Sequence, residues 1–370
     1  MIYLDYQATT PLAPEVRSAM EPWMDKFANP HSPNRWGREA AAAIEVAREQ
    51  VASGMPAGGQ VVFTSGATEA INWALKSVAG GASGERRRIV TVATEHAAVF
   101  DTCEWLETRG FDVVRLPVQP NGLVRLDDVE AAVDARTLVV AVMLVNNEIG
   151  VVQPVGEIAA IAHAAGALML CDAVQGFGRM TIPDGPDLVA ACAHKIHGPK
   201  MIGALWVREG VKLEPLIHGG GQEQGLRSGT LSPMLVAGFG AAAKIALDRR
   251  GADAAHVERL WGAAREALGP GWTVNGSVEA RYKGNLNIRR EGLDAARLLA
   301  DLRDVAFSLG SACASGSGRP SHVLRALGLS DREARSSVRL GFGRYTTEAE
   351  LVGACQRIAA AAVTQQGLAG

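Results

Sequence analysis

From residue 60 onward the sequence alternates short apolar runs, rich in β-branched residues, with stretches of helical pattern. Runs that are apolar at every position are typical of strands buried on both faces of a sheet. Strands that alternate with helices predict an α/β fold, with a mostly parallel sheet and helices on both faces. The seven runs span residues 61–63, 89–92, 113–116, 138–145, 167–171, 188–191 and 204–207.

The size and charge of the chain indicate how many domains it has and which partners it does not bind. With 370 residues it exceeds the length at which one core usually stops growing, so we expect two domains. Its net charge of −2, without a basic block, argues against a nucleic-acid partner. Neither a leader pattern nor a membrane-length apolar stretch is evident, which predicts no membrane partner and a cytoplasmic location. The five cysteines are widely spaced, without a Cys-x-x-Cys pair, so they suggest neither a zinc site nor a disulfide framework.

The first residues form a separate segment. Two prolines, Pro11 and Pro14, disfavour both helix and central strand, so residues 3–15 are predicted to be an extended arm. We expect a first helix over about residues 15–25 and a second over residues 37–52.

Polar residues follow several of the predicted strands, at the edge where ligands bind in parallel sheets. After the first run, residues 64–69 form a turn of small residues that begins a helix. Free backbone N–H groups there suit a phosphate, although an ordinary helix cap has the same pattern. His96 follows the second run, Asn147 the fourth, and Asp172 with Gln175 the fifth.

Lys195 follows the sixth run and precedes a Gly-Pro turn. A surface lysine at the end of a strand is the ordinary interpretation. Arginine cannot bond covalently to a cofactor aldehyde, whereas lysine can when desolvation or neighbouring positive charge lowers its pKa. The chain has only seven lysines among its 37 basic residues, so a lysine in this apolar setting suggests chemistry.

These side chains converge on one rim of the predicted sheet and together meet the needs of pyridoxal phosphate. Lys195 would bond the cofactor, and Asp172 would keep its pyridine nitrogen protonated, on which its electron-withdrawing power depends. His96 offers a flat ring for stacking, and Gln175 a donor to the phenolic oxygen. Each residue alone also fits a structural role.

The motifs resemble those of the cysteine desulfurases, which belong to the class V aminotransferase group of fold type I pyridoxal-phosphate enzymes. The likeness runs from residue 3 to about residue 350. The motifs that carry it are Leu4-Asp5-Tyr6-Gln7-Ala8-Thr9-Thr10-Pro11, Thr64-Ser65-Gly66-Ala67-Thr68-Glu69, Thr94-Glu95-His96, Val145-Asn146-Asn147-Glu148-Ile149-Gly150, His194-Lys195-Ile196-His197-Gly198-Pro199-Lys200, Gly219-Gly220-Gly221-Gln222-Glu223 and Leu226-Arg227-Ser228-Gly229-Thr230.

The resemblance implies a domain plan and a subunit arrangement. Residues 16–250 would form a large cofactor-binding domain, and residues 1–15 with 251–370 a smaller α+β domain. The chain would be a homodimer, in which Thr230 reaches the cofactor phosphate of the partner. The resemblance also places Ala67, Thr68, His194 and Asn147 at the cofactor.

The resemblance assigns the reaction to Cys313, which lies among small residues at positions 308–318. It implies the longer, group I version of a mobile loop, whose cysteine takes sulfur from L-cysteine as a persulfide and leaves alanine. An incidental cysteine in a flexible linker is the alternative. Arg339 and Asn147 would hold the substrate carboxylate, and His96 would move protons near the substrate thiol. The sulfur acceptor would be an iron–sulfur scaffold or another protein.

Three features depart from the family pattern. Cys192 stands where the family usually has a phosphate-binding serine, and a thiol is a weaker hydrogen-bond partner. Gly176 replaces the usual serine after Gln175, which we expect to be neutral. The sequence ends at Gly370 without the tail that group I members use in docking an iron–sulfur scaffold, which leaves the acceptor open.

Two other functions compete with the desulfurase. The first competitor is a selenocysteine lyase or another class V lyase or aminotransferase, which Cys313 disfavours because transamination needs no protein thiol. The second is a non-catalytic partner in a sulfur-transfer complex, which the combination of Lys195, Asp172, His96 and Cys313 disfavours.

Overall fold

The structure is a computed structural model that describes residues 1–82, 84–309 and 320–368, with side chains described as far as residue 365. The predicted Cys313 segment therefore lies, apart from its first two residues, outside the described residues. The strands are, in chain order, β1 (Ile2–Tyr3), β2 (Gly59–Thr64), β3 (Arg88–Val92), β4 (Asp112–Leu116), β5 (Thr137–Met143), β6 (Leu168–Asp172), β7 (Leu188–Cys192), β8 (Gly203–Arg208), β9 (Thr273–Val274), β10 (Asn285–Arg289), β11 (Val305–Ala306), β12 (Ser308–Leu309) and β13 (Ser337–Gly341).

The described residues also form eleven α-helices and three short 3₁₀ turns. The turns are Glu21–Trp23, Ala193–Lys195 and Glu223–Gly225. The α-helices are α1 (Pro14–Met20), α2 (Arg35–Ala52), α3 (Ala67–Gly80), α4 (Ala97–Glu107), α5 (Leu126–Ala132), α6 (Val155–Ala164), α7 (Pro233–Leu268), α8 (Ala295–Asp301), α9 (His322–Ala326), α10 (Asp331–Arg335) and α11 (Glu348–Leu368).

Among the described residues the central sheet has seven strands in the order β2-β8-β7-β6-β5-β3-β4, and each overlaps one of the predicted runs. β8 is antiparallel to both of its neighbours, and the other pairs are parallel. Alternate residues of one strand enter different cores: Val61 and Phe63 pack with α2 and α7, whereas Val62 packs with α3. Apolar side chains on both faces therefore explain the continuous apolar runs.

A second core forms around the antiparallel sheet β12-β13-β10-β9. α7 joins the two cores, because Val236 and Phe239 pack in the first whereas Leu260 and Trp261 pack in the second. The predicted domain boundary at residue 250 falls inside this 36-residue helix. The division into domains stays a prediction.

The amino-terminal residues 2–13, called the N-terminal arm below, run from the second core, where Leu4 packs, to the first core, where Ala13 packs. β1 pairs in parallel with β11, and Asp5 forms a bridge to Gly341. The prediction of a first helix over residues 15–25 is wrong at its end, because α1 stops at Met20. Pro22 lacks the N–H that a continuing α-helix needs, and it lies instead in a 3₁₀ turn.

Candidate active site

A cavity of about 590 Å³ opens where the strands of the central sheet end. Nine of the side chains selected from the sequence line it together: Ala67, Thr68, His96, Asn147, Asp172, Gln175, His194, Lys195 and Arg339. Thr230 is exposed and does not line this cavity, and its predicted role at a partner's site is not tested by a single chain. Cys313 lies outside the described residues.

Lys195 ends the 3₁₀ turn that follows β7, so the sheet carries it directly to the cavity. Its Nζ donates to the carbonyl oxygens of Gln7 at 2.5 Å and Ala8 at 2.8 Å, both in the N-terminal arm. Burial lowers the pKa of the Lys195 ammonium to about 8, and the positive charges of Arg179 and Arg339 act in the same direction. Near neutral pH a much larger fraction of this amine is unprotonated and nucleophilic than in an ordinary lysine.

Asp172 is the last residue of β6 and is buried beside the cavity. Its Oδ1 accepts a hydrogen bond from the backbone N–H of Val174 at 2.9 Å. Burial raises the pKa of this carboxyl, while the nearby His96 and Lys195 oppose the shift. A protonated pyridine nitrogen would supply the positive partner that a carboxylate in this position needs.

His96 is the N-cap of α4, and its Nδ1 accepts a hydrogen bond from the backbone N–H of Ala98 at 3.1 Å. An accepting Nδ1 places the proton of the neutral ring on Nε2. Burial lowers the pKa of His96, so the neutral ring is favoured near pH 7. The helix cap thus fixes both the position and the tautomer of the ring beside the cavity.

The start of α3 offers a phosphate cradle. Its N-cap, Gly66, has no side chain to cap the helix, and Ala67 and Thr68 line the cavity with N–H groups that a first helical turn leaves unpaired. Gly203 of β8 lets the sheet approach this turn, since a Cβ there would lie 2.6 Å from the carbonyl carbon of Gly66.

Two polar residues beside the cradle are predominantly neutral. Burial raises the pKa of the Cys192 thiol to about 11, so the thiol keeps its proton. Burial also lowers the pKa of His194 to about 4, and its Nδ1 lies 3.1 Å from Oγ1 of Thr9. Neither side chain supplies a fixed charge to a phosphate, whereas the backbone N–H groups and the dipole at the start of α3 favour an anion.

Gln175 is held by two contacts that the sequence did not predict. Its Nε2 donates to the Gln7 carbonyl at 2.9 Å, and its Oε1 accepts from Arg179 at 2.6 Å. Arg179 also donates to the carbonyl of Lys195 at 2.6 Å. In the sequence, only its position four residues after Gln175 indicated that Arg179 contacts these residues. The predicted bond from Gln175 to a cofactor phenolic oxygen stays a prediction.

Arg339 enters the cavity from the other sheet, in β13, and its side chain is only 1% exposed. Its Nη1 donates to the carbonyl of Asn147 at 3.1 Å. Its Nη2 donates to Oδ1 of Asp5 at 2.8 Å and to Oγ of Ser308 at 3.1 Å. The sequence interpretation included Asp5 in a motif but gave it no role.

Two buried carboxyls lie next to site residues in the sequence. Burial raises the pKa of Glu148 to about 7 and that of Glu95 well above its usual range. Glu148 accepts a hydrogen bond from Ser321, and the carbonyl of Glu95 lies 2.9 Å from Nε2 of His322. The start of α9 is thus tied to the neighbours of Asn147 and His96.

The residues present fit pyridoxal phosphate. The cavity combines a poised amine, a buried carboxyl, a neutral ring and a helix N-terminus. In the described part of the chain, no cluster of histidine, cysteine and acidic side chains could hold a metal ion. No described helix is both long and apolar enough to cross a membrane.

Fold and site together define an enzyme of the class-V aminotransferase family. The sequence model of this family matches residues 2–352, and the chain belongs to the family. It is 45% identical over 361 residues to the cysteine desulfurase IscS of Rickettsia akari (strain Hartford), covering 95% of this chain and 88% of the relative. These matches confirm the family and the fold class predicted from the sequence.

Solved structures agree with this assignment. A NifS-like protein superposes with a TM-score of 0.91 at 34% identity, covering 98% of this chain and 99% of that one. The protein SspA, solved in complex with cysteine, superposes with a TM-score of 0.82 at 36% identity, covering 94% of this chain and 100% of that one.

Proposed function

We propose that the chain is a pyridoxal-phosphate-dependent cysteine desulfurase. It would convert L-cysteine to L-alanine and hold the released sulfur as a persulfide on Cys313. The observation that carries the proposal is the shared cavity, which is lined by a poised amine (Lys195), a buried carboxyl (Asp172) and a guanidinium (Arg339). The names and structures of the similar proteins support the same reaction.

The chain's own residues would hold the cofactor in defined ways. Lys195 bonds it covalently, and the backbone N–H groups of Ala67 and Thr68 bind its phosphate. Asp172 keeps its ring nitrogen protonated, and His96 stacks on its face. When bound, the cofactor supplies an electron sink for charge that develops at the substrate α-carbon.

Arg339 and Lys195 would act on the two ends of the substrate backbone. The guanidinium binds the carboxylate of L-cysteine, with Asn147 beside it, because arginine matches carboxylate geometry. The amine of Lys195 takes the proton from the α-carbon. A pKa of about 8 suits a base that works near neutral pH.

Cys313 would carry the step that distinguishes this reaction from transamination. Its thiolate forms a bond to the substrate sulfur as the carbon–sulfur bond of the substrate breaks. The electron pair of that bond goes to the carbon fragment, which gains protons to become L-alanine. The sulfur stays on the enzyme as the outer atom of a persulfide.

The proposal also covers the sulfur acceptor, the cellular location and the oligomeric state of the enzyme. The sulfur passes to an acceptor protein, such as an iron–sulfur scaffold, and the enzyme works in the cytoplasm as a homodimer. Thr230, exposed in the single chain, would then contact the cofactor phosphate of the partner.

A sulfide and alanine assay tests the proposal directly. Purified holoenzyme is given L-cysteine and a dithiol reductant, and both products are measured. Cys313→Ala should lose at least about 10²-fold in sulfide release while keeping the cofactor absorbance. The matched control is Cys355→Ala, because Cys355 is buried in the second core and its thiol has a pKa of about 12.

The outcomes separate the competing functions. Equal sulfide release from wild type and Cys313→Ala would remove Cys313 from the mechanism. Amino-group transfer to a keto acid without sulfide would identify an aminotransferase. Bound cofactor with neither reaction would favour the non-catalytic partner.

A further inference from the structure

Asp5 of the N-terminal arm forms an ion pair with Arg339 from outside the cavity. Oδ1 of Asp5 accepts from Nη2 of Arg339 at 2.8 Å, and Oγ of Ser308 donates to the same Oδ1 at 2.8 Å. The hydroxyl of Ser308 also accepts from Arg339 Nη2 at 3.1 Å. Three side chains thus form a closed set of hydrogen bonds, yet only Arg339 belongs to the cavity lining.

The backbone around Asp5 is fixed on both sides. Before Asp5, the N–H of Leu4 donates to the carbonyl of Ala306 at 2.7 Å, and after it the N–H of Tyr6 donates to the carbonyl of Gly341 at 3.3 Å. Arg339 lies on β13, opposite Ser308 of β12 in the sheet register. Backbone pairing therefore places the carboxylate, the hydroxyl and the guanidinium together before any ligand binds.

The geometry leaves part of the guanidinium free for a ligand. Of the five N–H groups of an arginine, both on Nη2 and one on Nη1 are used by Asp5, Ser308 and Asn147. The buried Nε of Arg339 has no hydrogen-bond partner among the described residues. One N–H of Nη1 is not used by these contacts, so a substrate carboxylate can bind there while Asp5 stays in place.

We propose that Asp5 is a positioning residue for substrate recognition, which orients Arg339 so that the enzyme selects ligands with a free carboxylate. A nearly fully buried guanidinium needs a counter-ion, and a carboxylate behind it fixes its plane as well as balancing its charge. The inference rests on the proposed function, because that proposal makes Arg339 the carboxylate-binding group.

The test compares two ligands that differ in their carboxylate. The holoenzyme is titrated with L-alanine and with L-alaninamide, and the change in cofactor absorbance gives each Kd. In Asp5→Asn, the Kd of L-alanine should rise about tenfold, which corresponds to about 1.4 kcal/mol. The Kd of L-alaninamide should change less than twofold. The KM for L-cysteine should rise about tenfold, with kcat within threefold.

Asp304→Asn is the matched control. Asp304 also pairs with an arginine, Arg357, and also lies beside the N-terminal arm, but this pair is largely exposed. Neither Kd should change in it. Ser308→Ala is a milder second variant, and it should weaken L-alanine binding about threefold without affecting L-alaninamide.

Equal losses of affinity for both ligands would overturn the inference, because a purely structural role does not distinguish the ligands. The inference would also fail if neither Asp5→Asn nor Ser308→Ala weakened the binding of L-alanine. If Asp5→Asn fails to load cofactor, the Ser308→Ala titration decides by the same criterion. A holoenzyme that binds L-alanine in the expected Asp5-dependent way but releases no sulfide from L-cysteine would refute the desulfurase and leave this inference standing.

Discussion

Lys195 and Arg339 both line the cavity, but they are held in opposite ways. The ammonium of Lys195 donates to the neutral carbonyls of Gln7 and Ala8, and burial lowers its pKa to about 8. The guanidinium of Arg339 instead donates to a carboxylate, that of Asp5. The group that must lose its proton has neutral partners, whereas the group that must keep its charge has a counter-ion.

The same contrast separates the two sheets that meet at the cavity. The central sheet supplies His96 and Asp172. Their hydrogen-bond partners among the described residues are backbone N–H groups, and burial shifts the pKa of each side chain toward its neutral form. The smaller sheet supplies a permanently charged side chain. Proton transfer and substrate charge recognition are thus assigned to different sheets.

Lys195→Arg should remove the difference between the two cations and cause the largest loss of activity. Arginine keeps the positive charge but cannot give up its proton, so sulfide release should fall at least about 10³-fold. The cofactor should also become removable by dialysis. Lys244→Arg is the control, because Lys244 is exposed on α7 and paired with Asp248. A variant at position 195 that still retained cofactor covalently would refute the assignment.

Arg339→Gln removes the fixed positive charge that the smaller sheet supplies to the cavity. The kcat/KM for L-cysteine should fall about 10²-fold, because a charge-assisted hydrogen-bond pair is lost. Arg357→Gln, which breaks the exposed pair with Asp304, should leave kcat/KM within twofold. A normal KM in Arg339→Gln would place the substrate carboxylate elsewhere.

The pH dependence of cofactor attachment tests the lowered pKa of Lys195. Because burial lowers the pKa of Lys195 to about 8, the reactive amine fraction should rise about tenfold per pH unit below pH 8 and level off above it. The measurement is the rate at which apoenzyme regains its cofactor absorbance at each pH.

Arg179→Gln is the informative comparison for this profile. It removes one of the positive charges that lower the Lys195 pKa, so its midpoint should move to higher pH. A wild-type rate that still rises steeply above pH 9 would show that Lys195 titrates like an exposed lysine.

Cys192→Ser should have the smallest effect. A hydroxyl hydrogen-bonds more strongly than a thiol, so the cofactor Kd, measured by titrating apoenzyme, should fall about two- to tenfold. Cys171→Ser is the control, because Cys171 is buried in the first core and does not line the cavity. It should lose thermal stability without gaining affinity. Unchanged affinity in Cys192→Ser would mean that this side chain does not contact the phosphate.

The sequence predicted the central sheet and most of the cavity for one physical reason. Parallel strands bring their carboxyl ends to one edge, so the residues after each run had to meet there. The pair of Asp5 and Arg339 was not predictable in this way, because it joins residues 334 positions apart across two sheets. Likewise, no local signal showed that α7 continues through the predicted boundary at residue 250.

The position of Asp5 also has a consequence for how the enzyme is made. The ribosome adds Asp5 of the N-terminal arm 334 residues before its charged partner at position 339. Until then Asp5 has no guanidinium to hold, and the carboxylate-binding side of the cavity does not exist. Selective binding of an amino acid can therefore begin only after translation has passed residue 339.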